Sequence, residues 1–126
     1  MTKMDMVWIT VASRIHPQTN EGVTVSKDQI DRTVVDLFQE SITPVMITSH
    51  LVNSVDRQAD AKNPERGGSR NRYLSRDDQG QYRLYKAGDR NSDAWEKTGP
   101  TCPSTENVPS QFHDLISWYQ SEYLNS

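Results

Sequence analysis

Two short runs around a polar tip constrain this chain more than any other feature. Residues 71–76 read N-R-Y-L-S-R, residues 77–80 read D-D-Q-G, and residues 81–86 read Q-Y-R-L-Y-K. Alternating runs about a four-residue loop with a glycine predict a β-hairpin. Pairing Arg76 with Gln81 sets Tyr73 opposite Leu84 and Ser75 opposite Tyr82. Tyr73, Tyr82 and Leu84 then share a face suited to the core. Arg72, Arg76, Arg83 and Tyr85 share the other. A slip of one residue would send each set to the opposite face, so this register is a definite commitment.

The hairpin is entered through a basic arm. Residues 62–76 hold Lys62, Arg66, Arg70, Arg72 and Arg76 against Glu65 alone, a local charge of +4. The whole chain has net charge −3, which leaves −7 for the remainder. An acidic body with one basic arm limits non-specific sticking and directs a polyanion to one place. The plainer reading is a solvated, charged loop, and charge alone does not separate the two.

Upstream, Met4, Val7, Trp8, Val11, Ala12 and Ile15 recur at helical spacing, which predicts an amphipathic helix over 4–15. His16-Pro17 ends it, since the residue before proline is pushed out of the helical region. Val23-Thr24-Val25 is β-branched and fits one short strand. Ser26 with Gln29 forms a capping-box signature for a second helix over 27–39, with Ile30, Val34, Leu37 and Phe38 as its buried stripe. Thr43-Pro44 suits a third helix start, over 44–58. In that helix Ile47, Leu51 and Val55 would face the core, and Ser49, His50, Asn53 and Arg57 would face outward.

Residues 89–109 read as a connector that Trp95 would pin to the body. Residues 110–124 place Phe112, Leu115, Ile116, Tyr119 and Tyr123 along one side of a last amphipathic helix. That helix would pack on the first one or on another copy of the chain. A hydrophobic fraction of 33 % in 126 residues allows one small core and leaves little for a deep substrate cavity.

The order helix, short strand, helix, turn, helix, hairpin resembles the winged helix-turn-helix domain. The resemblance covers about 4–86 and is carried by the T-P helix start and the R-N-R-Y-L…Y-R-L-Y hairpin. That hairpin is also similar to hairpins of small winged-helix domains attached to bacterial restriction-type nucleases, although no nuclease segment accompanies it here. The implied fold is α+β: a winged-helix domain over 1–88, the connector 89–109, and an extra C-terminal helix within 110–126. The resemblance implies that helix 44–58 reads the major groove of double-stranded DNA and that the wing lies on the backbone or minor groove. Ser49, His50, Asn53 and Arg57 would then meet base edges, where Asn suits adenine and Arg suits guanine. Arg66, Arg70, Arg72 and Arg76 would meet phosphates through their planar forks, with Gly67 and Gly68 permitting close approach.

The chemistry expected is binding without catalysis. His16, His50 and His113 are scattered, the single Cys102 excludes an internal disulfide, and no Gly-rich phosphate loop is present. Asp93, Glu96 and Lys97 come nearest to a nuclease set but lie in the connector. No metal or cofactor is expected. A regulator or the recognition part of a restriction or defence system is the expected setting. The alternative is a protein-interaction scaffold that dimerises or binds a partner protein through the C-terminal helix. No apolar run reaches the ~20 residues that span a bilayer. The first residues lack the long apolar core of a signal peptide, which makes the cytoplasm the expected compartment.

Overall fold

The computed structural model describes residues 1–16, 24–42, 73–76, 79–86 and 100–124, together with the backbone of 54–55 and 95–96; for Arg76 too only the backbone is described. These residues form three α-helices, α1 (Lys3–Ile15), α2 (Lys27–Phe38) and α3 (His113–Tyr119). They also form four short strands, β1 (Ser54–Val55), β2 (Leu74–Arg76), β3 (Tyr82–Leu84) and β4 (Trp95–Glu96). None of these helices is long and apolar enough to cross a membrane.

α1 starts where Thr2 accepts the Asp5 N–H on its hydroxyl at 3.1 Å. Its stripe reads as expected, but burial extends further around the helix. Val7, Trp8, Ile9, Thr10, Val11 and Ala12 are all fully buried in succession. A helix enclosed on every side is a central one. α2, α3 and β3 pack around it.

α2 starts at the capping box read from the sequence. The Ser26 hydroxyl accepts the Gln29 N–H at 3.1 Å, and the Gln29 side chain accepts the Ser26 N–H at 2.9 Å. Gln39 closes the helix in the left-handed region at φ 57°, its N–H donating to the Val35 carbonyl at 2.8 Å. Ile30 and Val34 are buried, whereas Leu37, expected on the same stripe, is 45 % exposed. The last apolar contact turns instead toward Phe38, whose ring lies 5.8 Å from that of Phe112.

The hairpin forms with a register one residue away from the expected one. Leu74 pairs with Leu84, Ser75 with Arg83, and Arg76 with Tyr82. Leu74 thus takes the core position foreseen for Tyr73, and both paired leucines are fully buried. Tyr73 and Tyr85 lie on the other face with Ser75, and all three are also buried. Arg76 falls in register with Tyr82 rather than on the face of Arg83. The physical cause is that both faces at the hairpin base are covered, so alternation of polarity does not distinguish the two registers. The slip lengthens the loop by one residue, and Gly80 takes φ 77° within it. Val25 joins the other edge of β3, exchanging hydrogen bonds with Tyr82 at 2.7 and 2.8 Å. This is the short strand read at 23–25, reduced to a single bridge.

The third helix needs a correction. Ser54 and Val55, placed within helix 44–58, form β1 and pair antiparallel with Glu96 and Trp95 of β4. Val55 and Trp95 are strand-formers, and their cross-strand pairing overrides the four-residue apolar spacing. The remainder of that helix lies outside the described residues.

The last segment is a mixed helix. A 3₁₀ turn over Ser110–Phe112 leads into α3, and a π-helical turn over Gln120–Leu124 follows it. Ile116 and Tyr119 are buried, and Phe112, Leu115 and Tyr123 pack half-buried against the core. The ring of Tyr119 meets that of Trp8 edge-on at 5.5 Å, so α3 docks on α1 within one chain.

Gly80→Ala places a Cβ in the left-handed region of the loop and is expected to lower stability by about 1 kcal/mol. Urea unfolding of the two proteins side by side measures the difference.

Candidate nucleic-acid interface

The hairpin is the described part of the molecule that the basic arm enters. It is fastened at three places, two at its open end and one beside its loop. The Tyr73 hydroxyl donates to Asp5 Oδ1 at 2.7 Å, across 68 residues of sequence. Asp5 sits in the first turn of α1, where the helix dipole favours a negative charge. On the second strand, the Tyr119 hydroxyl donates to the Tyr85 carbonyl at 2.6 Å. The Val25–Tyr82 bridge is the third fastening.

The environment of Tyr73 is dry and negative. Burial raises its phenol pKa far above the ordinary value, and the hydrogen bond to Asp5 raises it further. The hydroxyl therefore stays protonated and remains a donor. Cys102, half-buried nearby, also has its thiol pKa raised by burial, opposed in part by the Gln120 amide at 3.9 Å. A thiol kept protonated is a poor nucleophile.

Of the residues expected to bind DNA, Ser49, His50, Asn53, Arg57, Arg66, Arg70 and Arg72 lie outside the described residues. Arg76 is placed by its backbone in β2, opposite Tyr82. The remaining basic groups of the hairpin are Arg83 and Lys86, both half-exposed. Arg83 turns one Nη1–H to the Leu84 carbonyl at 3.3 Å, which lays its guanidinium along the strand.

All three hairpin tyrosines point inward. Tyr73, Tyr82 and Tyr85 are at most 7 % exposed. Bases of a single strand stack on exposed rings. The hairpin offers none among its described residues. The histidines stay apart: His16 lies edge-on to Trp118 at 4.7 Å, and His113 Nε2 is 2.7 Å from the Val108 carbonyl oxygen. Among the described residues no group of three or more His, Cys, Asp or Glu is placed to hold a metal ion.

Sequence reading missed Asp5 and Tyr119 as parts of this site. Tyr119 stood out only as one member of an apolar stripe, and Asp5 did not stand out at all. Neither carries a local signal, because each bond joins elements far apart in sequence. No family model, curated protein or solved structure matches the chain.

The raised Tyr73 pKa has a consequence for stability. A tyrosine whose folded value lies above its unfolded value of about 10 stabilises the fold fully below that pH. The contribution is lost as pH rises further. Thermal unfolding between pH 8 and 11.5, from about 2 units below that value to about 1.5 above it, is expected to show a steeper alkaline loss in the wild type than in Tyr73→Phe. At neutral pH the same variant leaves the Asp5 carboxylate without this donor and is expected to be less stable by about 1–3 kcal/mol.

Proposed function

We propose that this protein is a non-catalytic double-stranded DNA-binding module of winged-helix type. The observation that carries the reading is the hairpin: an arginine-rich segment runs directly into β2, and the strand order Val25–β3–β2 sets that hairpin beside α1 and α2. A winged helix places its first strand beside the second strand of its wing in the same way, which supports the reading.

Arg66, Arg70, Arg72 and Arg76 meet phosphates in this reading. Phosphate contacts position the protein, and base contacts supply specificity. Ser49, His50 and Asn53, which precede β1, take the base-reading role. Arg57 follows β1 and joins the phosphate set. The inward-turned tyrosines favour a duplex over a single strand, because the described hairpin has no exposed ring for base stacking. The acidic body assists: Asp28 and Asp36 lie exposed on α2 and disfavour a backbone approaching from that side.

The alternative, a scaffold that dimerises or binds a partner through its C-terminal helix, loses much of the surface it needs. Ile116 and Tyr119, the centre of that apolar stripe, pack inside the molecule.

Binding of a random-sequence labelled duplex, measured at several salt concentrations, tests the reading. Four or five phosphate contacts predict a log–log salt slope of about −4. Arg70→Ala/Arg72→Ala is expected to weaken binding and to flatten the slope by about 2 units. Absence of binding to any duplex at low salt overturns the proposal.

A further inference from the structure

Tyr73 and Tyr85 face each other across the open end of the hairpin, where the Tyr85 N–H donates to the Tyr73 carbonyl at 3.2 Å. At this one level each strand is also held from outside. Tyr73 reaches Asp5 of α1 at 2.7 Å, and Tyr119 of α3 reaches the Tyr85 carbonyl at 2.6 Å. Tyr119 is itself locked in place. It is fully buried, edge-on to Trp8 at 5.5 Å, and stacked on Tyr123 with centroids 5.2 Å apart. Its hydroxyl therefore points where α1 and the C-terminal turn direct it.

We propose that segment 110–124 is a stay for the hairpin and that Tyr119 is its positioning residue. Docking of the C-terminal helix and orientation of the hairpin are then one coupled equilibrium. The leverage is geometric. Tyr73 and Tyr85 stand at the end of the hairpin where the chain enters β2, so a shift of the strand at Tyr85 moves the point from which the arginine arm departs. Such a shift lengthens the arm's phosphate hydrogen bonds and weakens each without removing one. The consequence for binding rests on the reading of the hairpin arm as the duplex contact. A partner that drew segment 110–124 away from α1 would thereby weaken duplex binding without touching the arginines.

Tyr119→Phe tests this while leaving the ring packing intact. Amide hydrogen exchange of the free full-length protein is expected to quicken about tenfold at Tyr82 and Tyr85, with the α2 amides unchanged. Duplex affinity is expected to fall about fivefold with an unaltered salt slope, because no phosphate contact is removed. Unchanged exchange at the hairpin, or an equal acceleration in α2 as in the hairpin, overturns the proposal. Selective loosening of the hairpin with unaltered duplex affinity upholds the coupling and overturns the duplex reading of the arm.

Discussion

The described helices and the hairpin are arranged around the burial of α1. Six successive residues, Val7 to Ala12, are withdrawn completely from water, so the helix needs partners on all sides. α2 supplies Ile30 and Val34, β3 supplies Tyr82 and Leu84, and the C-terminal segment supplies Ile116 and Tyr119. A chain with an apolar fraction of 33 % meets this demand with one enclosed helix. Some polar atoms are buried with it: Trp8 Nε1 and Thr10 Oγ1 have no hydrogen-bond partner among the described residues, a cost borne by tight packing around them.

The enclosure explains the polar bonds at the hairpin base. Once both faces of the hairpin are covered, its tyrosine hydroxyls need partners in the dry interior. Tyr73 finds a carboxylate in the first turn of α1, and the Tyr119 hydroxyl of α3 donates to the Tyr85 carbonyl where the chain leaves β3. Buried hydrogen bonds are directional in a way that apolar contact is not. They therefore set the angle of the hairpin, whereas the leucine pair sets its depth.

The C-terminal segment changes meaning in this light. As an isolated amphipathic stripe it suits a partner surface. In the folded chain its two most buried residues face α1, and one of them holds the hairpin. A switch acting on this segment would reach the arm through a single hydroxyl.

The sequence by itself determined what depends on neighbours within a few residues. The two long helices, the Ser26–Gln29 capping box, the strand at Val25 and the existence of a hairpin with Gly80 in its loop were all legible. Spacing and capping act within one or two turns, so these signals survive without knowledge of the fold. The tertiary structure decided the rest. It chose the hairpin register, since Leu74 and Tyr73 are both apolar enough for the core and only the position of Asp5 separates them. It drew Ser54–Val55 into a strand, because the partner at Trp95–Glu96 lies some forty residues away. It also turned Tyr119 from a stripe residue into an anchor. Of the residues read as DNA-binding, only the backbone of Arg76 is placed, so that part of the site stands on the sequence alone. Each of these decisions rests on a contact between distant segments, and pairings of that kind leave no trace in local spacing.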